Sequence, residues 1–154
     1  FSDALLGILA QRLAKRLCKC KEAYTPDAEE TQLFMTEYCM ELVNTETFKR
    51  DSKAAHEAVY NRLLKDYGKD GKFQLHRAKG CDVCGNTGYK GRVGLHELMV
   101  GTDPTKKLIQ EHARVAQLVA QALEDGMLTL KMDGMEKVLQ GITDMKQVRA
   151  VCIK

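Results

Sequence analysis

Residues 80–98 read GCDVCGNTGYKGRVGLHEL, and the fold class turns on this stretch. Its opening, Cys81-Asp82-Val83-Cys84-Gly85, sets two thiols two residues apart with a glycine directly behind the second. That spacing lets the chain fold into a knuckle whose backbone amides point at the sulfurs and offset thiolate charge. Its close, Val93 to Leu98, predicts a mostly buried strand ending near Val100. Six of the twelve glycines fall between Gly80 and Gly101, which points to tight turns and a strand rather than a helix.

One cysteine pair is half a metal site, and Cys18-Lys19-Cys20 offers the other half, with Lys19 and Lys21 favouring thiolate. Closing the loop between the pairs costs roughly 3–4 kcal/mol of chain entropy, whereas a structural zinc site contributes about 10–16 kcal/mol. Sequence distance is therefore no obstacle to one tetracysteine zinc site at Cys18, Cys20, Cys81 and Cys84. The single-residue spacer at Cys18/Cys20 is shorter than the usual two to four. Two other readings stay open: two independent pairs of reduced thiols, or a redox dithiol at Cys81/Cys84 without the strand-to-helix setting such a dithiol needs. His76 is the reserve ligand. His56, His76 and His112 otherwise read as solvated or capping side chains, and Cys39 and Cys152 as plain buried thiols.

Around this centre the patterning is mainly helical. Leucines at 5, 9, 13 and 17, with Asp3 at one end and Lys15 and Arg16 at the other, predict an amphipathic helix over 3–17. Its basic residues, with Lys19 and Lys21, then form a solvated face. Thr25-Pro26-Asp27 opens a second helix to about Leu42, and Ser52 caps a third with Ala55, Val59 and Leu63 on its apolar stripe. Gly68-Lys69-Asp70-Gly71 breaks the chain before a short strand at Phe73–His76. Thr102-Asp103-Pro104 opens another helix, followed by helices from Val115 to Asp125, from Thr129 to Gln140, and from a cap at Thr143 through Ala150. The expected fold is α+β and mainly α: helices around a small zinc-stapled β module in residues 1–101, with a helical insertion at about 27–70, then a C-terminal helical subdomain in residues 102–154.

Several function classes fall away. A net charge of +3 with 29% charged residues over 154 positions is too weak a field to argue for nucleic acid as a bulk partner. No apolar run reaches the roughly 20 residues a membrane span needs, so membrane insertion is not expected, and no signal peptide is visible. His96-Glu97-Leu98-Met99-Val100 has valine where a zinc-protease helix needs its second histidine. G-x-x-x-x-G-K-[ST] does not occur, so no nucleotide hydrolysis is expected of this stretch alone. The chain opens on Phe1 inside patterned sequence, which suggests a longer parent.

With these residues in hand, the chain resembles the C-terminal region of the type II secretion and type IV pilus assembly ATPases. FSDALLGILAQRL at 1–13 resembles the segment after that family's nucleotide-binding motifs. Gly80-Cys81 through Gly88-Tyr89-Lys90-Gly91-Arg92 to Leu98 resembles its second cysteine pair and following strand, and Asp125-Gly126-Met127 through Gly141-Ile142-Thr143 its terminal helices. Two features depart from the family: the one-residue spacer at Cys18/Cys20, and a longer, more helical segment at 27–70. The resemblance implies a parent ATPase using ATP and Mg2+, hexameric, at the cytoplasmic side of the inner membrane. Its partners would be an inner-membrane platform protein, the rest of the ATPase and neighbouring hexamer subunits. Arg92 is expected in a structural or inter-subunit ion pair rather than in catalysis. From another class, a stand-alone zinc-ribbon-like adaptor binding protein or nucleic acid would need more aromatic and basic residues at the knuckle than Tyr89, Lys90 and Arg92.

Overall fold

The computed structural model describes residues 7–152. They form a mixed α/β fold with seven helices and two small antiparallel sheets. Strand β1, Gly7–Leu17, pairs antiparallel with β4, Tyr89–Val100, from Gly7 opposite Val100 to Leu17 opposite Tyr89, with a bulge between Lys15 and Leu17. Strand β2, Glu22–Tyr24, pairs antiparallel with β3, Leu75–Arg77. The second sheet therefore ties the segment after the first cysteine pair to the segment before the second.

The helix predicted over 3–17 is wrong across the described part of that span: residues 7–17 form a strand, and residues 3–6 lie outside the described residues. Leucines four apart satisfy a helical stripe, but they also share one face of a strand because four is a multiple of two. The β-rich partner β4 supplies long-range pairing that helix propensity cannot match. The faces also exchange roles. Leu9 and Leu13 are 61% and 53% exposed, while Ala14 is buried on the face shared with Leu95.

The inner face of the ribbon supports the C-terminal helices. Helix α6, Leu130–Leu139, lies over β4, and α7, Met145–Val151, lies against β1. The approach is close at Gly134, where an added Cβ would stand 2.9 Å from Val148 and 3.0 Å from Leu95. A side chain there would push the layers apart. Helices α4, Asp103–Gln110, and α5, Val115–Glu124, precede them; Thr102 caps α4 and Thr129 caps α6, at the predicted starts.

The segment between the cysteine pairs folds into α1, Ala28–Met40, a short α2, Glu46–Arg50, and α3, Ser52–Tyr67. Asp27 caps α1 and Asp51 caps α3, so the predicted cap at Ser52 sits one residue late. Similarly, Asp144 rather than Thr143 caps α7, because Thr143 is buried and its hydroxyl donates to the Lys15 carbonyl. Helix α2 and strand β2 were not expected; both are too short to show a period.

One apolar cluster joins these helices to the C-terminal ones: Phe34, Met35, Tyr38, Leu63 and Phe73 on one side meet Met132, Met135, Val138 and Val148 on the other. A buried polar network reinforces it. Glu136 on α6 accepts hydrogen bonds from the hydroxyls of Tyr38 and Tyr67, each at 2.7 Å, and is approached by Arg62 at 3.3 Å. Burial, then the carboxylate, pushes both tyrosine hydroxyls above their usual pKa, Tyr67 to about 12. At the surface Glu37 on α1 pairs with Arg149 at 2.7 Å and Lys131 at 2.8 Å. The Arg149 guanidinium, aided by Lys131 against the cost of burial, holds Glu37 at about 2.

Candidate metal centre

The two cysteine pairs meet at the same end of the β1–β4 pairing, one just after Leu17 and the other just before Tyr89. Cys18 follows β1 directly, and the chain turns at Cys18-Lys19-Cys20, closed by the Lys21 amide donating to the Cys18 carbonyl at 3.0 Å. Cys81 and Cys84 flank a single 3-10 turn at Asp82–Cys84 that ends at Gly85 with φ of 62°. Strand β4 starts at Tyr89, four residues after Gly85, and returns along β1. The Cys18 amide donates to the Gly88 carbonyl at 2.9 Å, which seats the knuckle on the first pair.

This seating depends on Gly88. Its φ is +85°, and an added Cβ would lie 2.5 Å from the Cβ of Ala78. Only glycine meets both conditions. The same backbone places the Gly88 amide 3.2 Å from Cys84 Sγ, where the Cys81 amide also donates at 3.3 Å. Burial opposes ionisation of Cys84, but these amides outweigh it and bring its pKa down to about 6. The Cys84 amide in turn lowers Cys81. Cys20 is pushed up to about 11, chiefly by burial.

All four sulfurs lie within 4.8 Å of one another. Cys18 and Cys81 stand 3.7 Å apart, Cys81 and Cys84 3.7 Å, and Cys20 and Cys84 3.9 Å. A tetrahedron with each sulfur about 2.3 Å from a central zinc ion has edges of about 3.8 Å. The separations thus fit a four-sulfur metal site, and they are far beyond the roughly 2.05 Å of a disulfide. The one-residue spacer costs nothing visible in convergence, because the tight turn directs both side chains to the same point.

Among the described residues this is the one cluster of three or more potential ligands that converges. His76, the reserve ligand, is not in it: its ring lies against Gly141, its Nδ1 is buried without a partner, and burial, followed by the Lys21 charge, lowers its pKa. His56, expected to be solvated or capping, is half-buried with Nε2 unpartnered among the described residues. His112 is exposed in the turn after α4, at φ of 56°. Cys39 is buried as expected, which pushes its thiol up to about 11; Cys152 is only half-buried. Arg92 is exposed on β4 opposite Lys15, and neither makes an ion pair among the described residues.

The braces behind the first pair are long-range and left no local signal. Lys21 Nζ donates to the Gly141 carbonyl, the Leu17 amide to the Ile142 carbonyl, and Thr143 to Lys15. Positive φ at Gly141, 80°, aims that segment. The glycine is readable as a helix stop; its partners 120 residues away are not.

Four converging cysteines at the end of a two-stranded ribbon, backed by a small helical layer, form a group able to hold one metal ion. The sequence model of the Type II/IV secretion system protein family matches residues 1–150, and the chain belongs to that family. It is 34% identical over 151 residues to the type II secretion system ATPase E of Vibrio cholerae, covering 97% of this chain and 24% of that protein. It is 34% identical over 154 residues to the type IV pilus assembly ATPase PilB of Thermus thermophilus, covering 99% and 14%. Against PilB of Pseudomonas aeruginosa it is 32% identical over 145 residues, covering 94% and 20%. The chain thus spans a quarter or less of the length of these relatives. Among the described residues no helix is long and apolar enough to cross a membrane.

Proposed function

We propose that Cys18, Cys20, Cys81 and Cys84 hold one structural zinc ion, and that this chain is the metal-stapled C-terminal region of a secretion or pilus assembly motor ATPase. The observation that carries the zinc reading is the set of sulfur separations, 3.7 to 3.9 Å, together with two amides donating to Cys84. Zinc bound there would neutralise the thiolates and fix the ends of the 18–81 loop, a folding rather than a chemical role.

In this reading residues 1–101 close the ATPase core and carry the metal module, with 27–70 inserted in it, and residues 102–154 form the terminal helical subdomain. ATP and Mg2+ belong to the remainder of the parent, working as a hexamer on the cytoplasmic side of the inner membrane. The module and terminal helices convey ATP-driven movement to an inner-membrane platform protein. Arg92, exposed beside Lys15 and without an ion pair among the described residues, would meet an acidic residue of a neighbouring subunit. The relatives, secretion and pilus assembly ATPases, support this reading over the adaptor.

Metal analysis of purified wild-type protein beside Cys81→Ser tests the site. One zinc per chain in the wild type, well below one in Cys81→Ser, and loss of structure on chelation are expected. Zinc-free wild-type protein carrying a titratable disulfide would overturn the site in favour of a thiol oxidoreductase. Binding of the intact parent to the platform protein's cytoplasmic domain, measured beside binding to DNA, separates the motor from the adaptor.

A further inference from the structure

Between α6 and α7 the chain turns a corner at residues 141–144, and each of these residues is bonded to the strands that carry the cysteines. Lys21, next to Cys20, donates its ammonium to the Gly141 carbonyl, and the Leu17 amide, next to Cys18, donates to the Ile142 carbonyl at 2.9 Å. The Thr143 hydroxyl donates to the Lys15 carbonyl at 2.8 Å. From the other strand, at the start of β4, the Tyr89 hydroxyl donates to the Asp144 carboxylate.

The same residues end one helix and start the next. The Gly141 amide donates to the Val138 carbonyl and the Ile142 amide to the Lys137 carbonyl, each at 3.0 Å, which closes α6. The Asp144 carboxylate accepts from the Gln147 amide at 3.0 Å, which caps α7. Gly141, Ile142 and Asp144 thus each use one polar group on a helix end and another on a cysteine-bearing strand. Thr143 is fully buried, so its hydroxyl finds no water while the corner is closed. The first cysteine pair lies between two of the anchors, Leu17 and Lys21. With both anchors held, Cys18 and Cys20 stay turned toward Cys81 and Cys84, at the separations a four-sulfur site needs. Proteins open locally at lower cost than they unfold globally, and the local opening that frees the first pair is the one that parts this corner from the strands.

We infer that the corner at 141–144 is the latch of the metal centre: the ion leaves when this corner undocks from the strands, and Lys21 and Thr143 are positioning residues for the first cysteine pair. The inference rests on the zinc reading above and adds to it that retention is set from the C-terminal helices, some 120 residues from the ligands they hold. Movement of α7 and loss of the metal then become one event.

Release of zinc from the full zinc-loaded chain into excess pyridylazoresorcinol tests it, followed as a first-order rate that does not depend on chelator concentration. Thr143→Val should release zinc roughly fivefold faster than the wild type, the worth of one such bond, and Thr143→Ser, which keeps the hydroxyl, within about twofold of it. Tyr38→Phe deletes a buried hydroxyl bond outside the corner and should release zinc at the wild-type rate, which separates a latch from a general loss of stability. In the zinc-loaded state the Leu17 amide should exchange its hydrogen faster in Thr143→Val by the same factor. Lys21→Met, rescued by Lys21→Arg, serves if Thr143→Val does not fold. A chain that binds no zinc overturns the latch together with the zinc reading. A chain that binds one zinc and loses it no faster in Thr143→Val, or equally fast in Tyr38→Phe, overturns the latch and leaves the zinc reading standing.

Discussion

Replacing Glu136 by glutamine removes one charge from a site that is 5% exposed and leaves the shape of the side chain unchanged. The carboxylate accepts from two tyrosine hydroxyls at 2.7 Å and sits 3.3 Å from Arg62. Hydrogen bonds to a charged acceptor contribute roughly 1.5–3 kcal/mol each. Glutamine keeps one acceptor oxygen and turns an amide donor toward the other hydroxyl, so about one such bond is lost outright and Arg62 loses its counter-charge. Arg62 is half-exposed and recovers water; Tyr38 is fully buried and does not. The expected cost is about 2–4 kcal/mol, a fall of roughly 5–15 °C in Tm for a chain of this size. Guanidinium unfolding followed by circular dichroism in zinc-replete buffer measures it, and a double-mutant cycle with Tyr38→Phe should give a coupling of about 1–2 kcal/mol. A Glu136→Gln cost under about 0.5 kcal/mol, or strict additivity with Tyr38→Phe, would refute the view that this network joins α1 and α3 to α6. The whole network need not be stabilising against an apolar replacement, because desolvating it is costly; breaking one member is what is expensive.

Three further outcomes follow from particular residues. Glu37 is held at about 2 against an ordinary 4.5, so its contribution to stability is present above pH 4.5 and lost as pH falls toward 2; the stability gap between wild type and Glu37→Gln, from urea midpoints, should shrink from pH 5 to pH 3. Gly88→Ala must accommodate a Cβ 2.5 Å from Ala78, whereas Gly85→Ala meets nothing within 4 Å; Gly85→Ala should cost about 1 kcal/mol from its left-handed backbone, and Gly88→Ala distinctly more with weakened zinc retention in a chelator competition. Leu13→Lys should change stability by under about 0.5 kcal/mol, as for an exposed side chain, while Ala14→Leu overpacks the face against Leu95 and costs about 1–3 kcal/mol; the reverse order in thermal melts would restore a helix at 7–17.

Legibility in the sequence followed how local the determinants were. The knuckle at Cys81/Cys84 could be read because its thiols and glycines lie within eight residues, and the helices at 28–40, 52–67 and beyond 102 because caps and stripes recur within a turn or two. Strand β1 was misread because four-residue leucine spacing is shared by helix and strand, and only β4, more than seventy residues away, decides between them. The convergence of Cys18 and Cys20 with Cys81 and Cys84 was inferable from chemistry, but the braces at Gly141 to Thr143 were not. Nor could a charge count place Glu136 between two tyrosines from other helices.

The antiparallel register has a mechanical corollary. Gly7 stands opposite Val100, while the cysteine pairs lie just past the other end, beyond Leu17 and Tyr89. Tension applied between the start of β1 and the chain leaving β4 would open the ribbon pair by pair from its free end, a low-force zipper, until it reached the four sulfurs. With metal bound there the tear would stop, and the sixty residues beyond would carry no load. A metal ion held there would then act as a rip-stop, shielding the helices between the two cysteine pairs from the pull.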